Sequence, residues 1–423
     1  MDVEIVHYDD FSGIRRTDLV HADSALPYSF WVSSFLSTSY NVENTSRSAA
    51  YQLRYVITYL ESCGIDLVSR VEDGSLLTED ELNNIIFTFQ YFADSKPLES
   101  KSQSLSFSSS KEISNLIFAT RQSTSKVAVQ TARARLRVLR KYFEFLFINI
   151  HKSGLRKPKQ SLIQKFDYLI YQLKEEAKNL ENDNTEVKDP HEQAIPSNIY
   201  FKLLDITRPE NDENPWTKLN RFRNHIIFQI FNETGIRLGS LCKLKISDLR
   251  DDDNPRILIT KIPNDSTDNR AKRPKTKTRP HASAISSSLM KNLLLYIETV
   301  RNNYSRSSLH DFIFVSQKGK SKGDPIASNT VNALIGNLSS VVNFDIHPHL
   351  LRHKWNEVFE EKGKAAGYTY EQINDLRKYA CGWSETSSMA RIYNEFRHAT
   401  LVAEISQKEQ EKTVPDLEST NEV

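Results

Sequence analysis

The segment Thr234-Gly-Ile-Arg-Leu-Gly-Ser-Leu-Cys-Lys-Leu-Lys-Ile-Ser-Asp-Leu249 decides how the C-terminal half of this chain is interpreted. Its glycine permits a tight backbone approach, and Arg237 stands where the next helix is expected to begin. The planar guanidinium of arginine donates several hydrogen bonds to phosphate and stays charged near neutral pH. Arg237 is therefore a candidate phosphate ligand, although an arginine that follows Thr-Gly more often has a structural role.

Two further strings follow in the chain. In His349-Leu-Leu-Arg352-His353 the spacing places His349 and Arg352 on one face of a helix turn, where both can reach one phosphate. A surface salt-bridge cluster is the alternative for such a pair. The second string contains Gly382 and Trp383 and ends at Tyr393. The indole N–H of tryptophan can donate a hydrogen bond but cannot carry a proton.

In this order the three strings resemble the tyrosine recombinase (phage integrase) family, closely over residues 195–405 and only in kind over residues 25–180. The resemblance implies that Tyr393 is the nucleophile and that the site contains the residues Arg237, Lys277, His349, Arg352 and Trp383. Two positions are unusual. Ser240 stands where the family commonly has an acidic residue, and Trp383 stands where most members have histidine.

The family also implies a catalytic lysine on a β-hairpin between the two arginine strings. The basic run Arg270-Ala-Lys-Arg-Pro-Lys-Thr-Lys-Thr-Arg-Pro-His281 offers several candidates. Lys277 is the first choice, Lys275 the second, and Lys261 the third. The alternative is that the run is a flexible basic loop that contacts the DNA backbone, in which case Lys275 binds DNA.

The pattern of elements predicts a mainly α-helical protein with a small β-sheet. Its parts are an N-terminal lead-in (1–24), a helical core-binding domain (25–180), a linker (181–196), a mixed α/β integrase-type catalytic domain (197–408) and a polar tail (409–423). A capping box is expected at Thr78 to Glu81. Strands are expected at 256–260, 281–285 and 311–315, and helices at 127–147, 166–180, 222–231 and 289–300.

The expected helix over residues 127–147 has an apolar side and a basic side. The basic side contains Arg133, Arg137, Arg140 and Lys141. Such a face is usually only solvated. Here it is also a candidate to contact DNA phosphates, because basic side chains that neutralise phosphate release bound counterions.

Composition limits the remaining possibilities. The 423 residues carry a formal net charge of +2, and the three cysteines, Cys63, Cys242 and Cys381, have no paired spacing. This favours a reducing compartment and argues against a disulfide framework or a structural zinc site. The N-terminal sequence has no secretory pattern, and no apolar stretch is long enough to span a bilayer. A cytoplasmic, nucleoid-associated protein without membrane contact is expected, and no Walker loop or metal-ligand spacing indicates a cofactor or metal.

The resemblance implies a site-specific recombinase or integrase that cleaves and rejoins double-stranded DNA through a 3′-phosphotyrosine. A type IB topoisomerase and a non-catalytic DNA-binding protein on the same fold are the alternatives. The family also implies a homo-oligomer on DNA, a tetramer for complete exchange. The apolar residues Ala399, Leu401, Val402 and Ile405 follow Tyr393 and form a stripe that could dock on a neighbouring subunit or fold back on its own domain.

Overall fold

The computed structural model describes residues 3–91, 126–152, 158–182, 194–262, 265, 267–384, 402 and 405–406. This part of the chain is mainly helical, with small antiparallel sheets, so the predicted fold class is confirmed. The chain forms two compact units, residues 1–186 and 187–423. Each unit has its own core of buried apolar side chains.

The N-terminal unit begins with a β-hairpin that the sequence did not predict. Strands β1 (Val3–Asp9) and β2 (Arg15–His21) pair antiparallel, with Val3 opposite His21 and Asp9 opposite Arg15. The buried residues of β2 include Thr17 and Asp18, and these polar side chains obscure the alternation that normally identifies a strand. Leu19 packs into the helical core, so the segment 1–24 is an integral part of this unit.

Six described helices build the rest of this unit. They are α1 (Phe30–Ser39), α2 (Glu43–Ser62), α3 (Leu67–Asp73), α4 (Glu79–Thr88), α5 (Val129–Phe147) and α6 (Gln160–Asn182). The capping box before α4 is confirmed, because Thr78 Oγ1 accepts from the Glu81 N–H at 3.2 Å and Glu81 Oε2 accepts from the Thr78 N–H at 2.8 Å. The apolar side of α5 lies in the core, and the Phe147 ring stacks on Phe166 of α6 at 3.8 Å.

The C-terminal unit combines described helices with a three-stranded sheet. The helices are α7 (Ser197–Ile206), α8 (Lys218–Thr234), α9 (Leu238–Leu241), α10 (Ser287–Thr299), α11 (Ser328–Gly336), α12 (Ser339–Val342), α13 (Pro348–Ala365) and α14 (Tyr370–Ala380). The antiparallel sheet has the order β3 (Leu249–Arg250), β4 (Arg256–Ile259), β5 (His281–Ala284). Helix α8 is central, with Ile226, Phe228 and Phe231 fully buried.

The expected strand at 311–315 is wrong. This segment is buried, but it forms only isolated bridges, from Phe312 to Lys245 and from Val315 to Pro325. Its backbone also bonds individually to Leu244 and Ile326. A short apolar run indicates burial, but it does not determine whether neighbouring strands provide a continuous ladder.

Several sequence expectations fall outside the described residues. They are the serine-rich loop (100–110), most of the linker (183–193), the tail (409–423), and Tyr393, Ala399 and Leu401. In the ranges that are described, no helix is long and apolar enough to cross a membrane.

Candidate active site

A glycine turn at the end of α8 positions Arg237. Gly235 has a φ of +57°, and a Cβ there would lie 2.6 Å from the Trp355 ring of α13. Glycine is therefore required both for the left-handed backbone and for the close approach of α13. The Trp355 indole N–H donates to the carbonyl of Glu233 at 2.9 Å, which fixes the same turn. Arg237 is the residue at which α9 begins, as the sequence predicted.

Arg352 of α13 lies against this turn. Its side chain is only 2% exposed, and its guanidinium donates to the carbonyl oxygen of Gly235 and, at 3.5 Å, to that of Cys381. Its Cζ lies 5.8 Å from the centre of the Trp383 ring. In the described ranges Arg352 forms no ion pair, and its Nε has no hydrogen-bond partner. Carbonyl acceptors hold the guanidinium without neutralising its charge.

The charges of Arg237 and Arg352 affect the pKa values of the same neighbouring groups, His349 and Cys381. Desolvation, together with the charges of His347, Arg352 and Arg237, holds the pKa of His349 below its usual value. Burial raises the pKa of the Cys381 thiol, and the charges of Arg352 and Arg237 oppose that rise. Arg352 also contacts the Gly235 carbonyl in the turn before Arg237. The lowered pKa leaves His349 neutral at neutral pH.

The turn containing Trp383 follows α14. The Gly382 N–H donates to Tyr379 at 3.0 Å and the Trp383 N–H to Lys378 at 2.9 Å, and Gly382 has a φ of +59°. This is a glycine-terminated helix end, in which the left-handed residue satisfies the last carbonyls. It buries the Trp383 ring to 2% exposure, packed with Cys381 and Trp355.

The histidines of α13 form a cluster at the start of the helix. His347 caps the helix through Nδ1, which accepts from the Leu350 N–H at 3.2 Å. The rings of His349 and His353 meet edge to face with centroids 4.6 Å apart. Burial, followed by the charges of His349, His347 and Arg352, lowers the pKa of His353 to about 4. His353 is therefore neutral across the physiological range.

The three candidate lysines lie on the connection between β4 and β5. Lys277 and Lys261 are exposed, whereas Lys275 is partly buried. Lys275 passes close to α9, since a Cβ on Gly239 would overlap its carbonyl oxygen. These positions leave the order of preference among the three lysines as a prediction.

Ser240 occupies the position where the family resemblance leads us to expect a carboxylate. It lies in α9 and is 3% exposed. Its hydroxyl has no hydrogen-bond partner in the described part of the chain. Ser240 therefore does not replace the missing carboxylate by any described contact to Arg237.

The basic side of α5, in the N-terminal unit, differs in part from the expectation. Arg133 is only 8% exposed, so it does not belong to a solvent-facing basic surface, and its assignment to that surface is wrong. Arg137 is exposed. Arg140 lies 3.4 Å from Glu144, and the Lys141 ammonium lies 5.2 Å from the centre of the Tyr40 ring. The apolar periodicity of a helix does not reveal a basic residue at the edge of the buried side.

His281 is a candidate residue that the sequence analysis did not single out. Burial lowers the pKa of His281, and the charges of Arg352 and Arg237 lower it further, whereas its hydrogen bond with the Arg279 backbone raises it. Its Nδ1 lies 2.8 Å from the carbonyl oxygen of Arg279. The sequence signal for it was weak, because a histidine at the first position of a short strand has no motif of its own.

The described residues contain no group of three or more His, Cys, Asp or Glu side chains that could hold a metal ion.

Comparison with known proteins gives a family match and several relatives. The sequence pattern of the phage integrase family matches residues 203–397. A tyrosine recombinase of Agathobacter rectalis is 24% identical over 247 residues, which is 56% of this chain and 72% of that protein. Transposase A from transposon Tn554 of Staphylococcus aureus is 26% identical over 162 residues, covering 36% of this chain and 42% of the transposase.

Solved structures are also similar. A crystal structure of XerA recombinase matches 81% of this chain and 98% of its own, with 16% identity and a TM-score of 0.35. A crystal structure of a lambda integrase dimer bound to a core site matches 92% of this chain and 95% of its own, with 15% identity and a TM-score of 0.36.

Proposed function

We propose that this chain is a tyrosine recombinase of the phage integrase family and that it cleaves and rejoins DNA at specific sites through a 3′-phosphotyrosine on Tyr393. The observation that carries the proposal is the contact of the Arg352 guanidinium with the carbonyl oxygen of Gly235, in the turn that leads into Arg237. Tyr393 itself lies outside the described residues, ten positions after Trp383 in the sequence.

The two arginines stabilise the reacting phosphate. When a nucleophile attacks phosphorus, negative charge builds up on the non-bridging oxygens. Among the described residues, the hydrogen bonds of Arg352 go to carbonyl oxygens, which leave its positive charge available to that phosphate. Guanidinium groups fixed before the reaction stabilise the transition state without a reorganisation cost.

Proton movements accompany the exchange of bonds. The Tyr393 oxygen forms the new bond to phosphorus as the bond from phosphorus to the 5′-oxygen breaks. The phenolic proton passes to His349, whose lowered pKa leaves it neutral and able to accept. Free tyrosine has a pKa of about 10, so the nearby cations assist its ionisation.

The leaving 5′-oxygen takes its proton from a lysine. Lys277 is the proposed donor, followed by Lys275 and then Lys261. All three belong to the connection between β4 and β5, and Lys275 passes against the helix that Arg237 begins. Religation uses the same groups in reverse. The 5′-hydroxyl of a second strand attacks the phosphotyrosine, and the lysine takes back its proton.

The test is covalent capture on a nicked duplex whose short 5′ fragment diffuses away after cleavage. The wild-type protein should form an adduct, and Tyr393→Phe should bind the same DNA without forming one. Tyr379→Phe is the matched control, because Tyr379 is a 67% exposed tyrosine near the same turn. An adduct of wild-type yield in Tyr393→Phe would refute the nucleophile assignment.

We also propose that the working unit is a tetramer on two duplexes, since complete exchange needs four strand cuts. Val402 and Ile405 are 62% and 63% exposed, so the described residues of this unit leave both side chains accessible. The C-terminal unit also has an open cavity of about 610 Å³ whose lining includes Trp355, Phe359 and Tyr379. Val402 and Ile405 of one subunit would occupy this cavity in the next.

Replacing Val402 and Ile405 together by Asp should leave single-site binding intact and abolish pairing of two sites. The control is Leu309→Asp, at a leucine that is 77% exposed elsewhere on the unit. If the double variant pairs two sites and exchanges strands as well as the control does, these residues do not form the interface between subunits.

A further inference from the structure

The segment 267–281, here called the lysine strap, is attached to the C-terminal unit along its length. It connects β4 to β5 and contains Lys275 and Lys277. A long basic connection of this kind would ordinarily be a mobile surface loop. Its contacts at the start, the middle and the end give it a defined path.

The first attachment is a buried ion pair. The Arg270 guanidinium donates to both carboxylate oxygens of Asp268, at 2.8 and 2.7 Å, and both side chains are at most 8% exposed. Its remaining nitrogen donates to the carbonyls of Cys242 at 2.9 Å and Ile326 at 2.6 Å. Cys242 is the C-terminal cap of α9, so the ion pair links the strap to the helix that Arg237 begins.

The second attachment is steric. Gly239 lies inside α9, and a Cβ at this position would overlap the carbonyl oxygen of Lys275 and lie 3.2 Å from its carbonyl carbon. The backbone of Gly239 has an ordinary negative φ, so no conformational strain requires glycine here. The missing side chain is needed only to let the strap pass.

The third attachment joins the strap to the turn that contains Trp383. The Arg279 N–H donates to the carbonyl oxygen of Gly382 at 2.8 Å. A Cβ on Gly382 would lie 2.5 Å from His281 Nδ1 and 2.8 Å from the Arg279 carbonyl oxygen. The strap therefore spans from the Arg237 helix to the Trp383 turn.

Between the second and the third attachment, buried and exposed side chains alternate along the strap. Thr276 and Thr278 are buried, at 9% and 3% exposure, whereas Lys277 and Arg279 are exposed. In an extended segment, successive side chains point to opposite faces, so the backbone path decides which residues face the solvent. A shift by one residue would bury the lysine and expose a threonine.

We infer that Gly239 is a positioning residue for the proton donor. By admitting the Lys275 backbone against α9, it fixes the register of the strap and thus places Lys277 relative to Arg237 and Trp383. The inference rests on the proposed function, because the proton from the lysine ammonium is needed only when the bond between phosphorus and the 5′-oxygen breaks. The Asp268–Arg270 pair attaches the start of the same strap to the C-terminal end of α9.

The test compares Gly239→Ala with Gly336→Ala, a helix glycine where an added Cβ meets nothing within 4 Å. Each variant is given two nicked duplexes, with oxygen or sulfur as the bridging 5′ atom at the scissile phosphate. Sulfur leaves without protonation. Gly239→Ala should cleave the oxygen duplex about a hundredfold more slowly than wild type and the sulfur duplex at close to the wild-type rate. Gly336→Ala should resemble wild type on both.

Equal cleavage of the oxygen duplex by the two variants would overturn the inference. So would a Gly239→Ala protein that folds and binds DNA but is slow on both duplexes, because its defect would not be in proton delivery. If thermal unfolding shows that Gly239→Ala does not fold, Arg270→Lys replaces it. Lysine keeps the charge but loses the paired bonds to Asp268, and the same rescue by sulfur is expected.

The failure of this inference can be distinguished from the failure of the proposed function. A wild-type protein that forms no Tyr393-dependent adduct would refute the function. A normal wild-type adduct with unimpaired Gly239→Ala cleavage of the oxygen duplex would refute only the role of Gly239.

Discussion

Arg135 in the N-terminal unit and Arg352 in the C-terminal unit are buried in similar ways but have different neighbours. Arg135 donates to the carbonyls of Phe89 at 2.9 Å and Tyr91 at 2.6 Å, and its Cζ lies 3.5 Å from the centre of the Tyr55 ring. Arg352 likewise combines carbonyl acceptors with an aromatic ring. Burial alone therefore does not distinguish a structural arginine from a phosphate ligand.

The difference lies in what surrounds each guanidinium. Burial lowers the pKa of Arg135, and Tyr55 is the titratable neighbour that opposes this change. Burial lowers the pKa of His349 and of His281, and the charges of both Arg352 and Arg237 lower it further. Several basic groups that surround one space create a positive electrostatic potential there. An anion that binds in this space lowers the electrostatic energy of these groups. Convergence of such groups is thus the better indicator of a phosphate site.

The largest effect is expected from parallel substitutions of these two arginines. Arg352→Lys should slow adduct formation by about a hundredfold or more, because lysine cannot reproduce the fixed fork on the phosphate. Arg135→Lys should instead lower the free energy of unfolding by about 2 kcal/mol and leave the adduct rate of the folded protein unchanged. Single-turnover cleavage measures the rate of adduct formation, and chemical unfolding measures the free energy of unfolding. An equal loss of cleavage in both variants would contradict the assignment of Arg352 as a phosphate ligand and Arg135 as a structural residue.

A smaller effect concerns the acid sensitivity of the site. The pKa of His353 is about 4 in the folded protein and about 6.5 when unfolded, so between these values only the unfolded state is protonated. The stability that neutral His353 confers is complete above pH 6.5 and is lost as the pH falls towards 4. Lowering the pH from 7 to 5 should cost about 2 kcal/mol of unfolding free energy through this residue.

His353→Gln should remove that part of the pH dependence. Chemical unfolding of both proteins at the two pH values provides the measurement. An identical pH slope in the variant would show that the acid sensitivity arises elsewhere.

The smallest effect is expected on α5. Replacing Arg137 and Arg140 by Gln should weaken binding to all sequences alike and reduce the salt slope by about one for each phosphate that is no longer neutralised. Arg133→Gln should leave the slope unchanged, because Arg133 is buried. Fluorescence anisotropy of labelled duplex over a range of salt concentrations decides. A slope that responds to Arg133 and not to Arg137 would return Arg133 to the DNA-facing side of this helix.

The sequence predicted those parts of the molecule that depend on local pattern. The strings singled out Arg352 and Trp383, whose guanidinium and ring lie 5.8 Å apart in the structure, and Gly235 ends α8 with a left-handed turn. The hairpin at 3–21 was missed because Thr17 and Asp18 are buried in β2, which hides the alternation. The attachment of the lysine strap could not be predicted from a local sequence pattern either. In the sequence Asp268 and Arg270 resemble ordinary charged loop residues, and only the fold buries them as a pair.

The most direct measurement identifies the residue that becomes attached to DNA. The protein is incubated with a library of nicked duplexes that contain a randomised segment, the covalent complex is isolated, and both components are identified after digestion. We expect one preferred DNA sequence joined through its 3′-phosphate to the tryptic peptide of residues 392–397, which contains Tyr393. Attachment to a peptide that contains Tyr370 or Tyr379, or the absence of any covalent complex, would contradict the proposed mechanism.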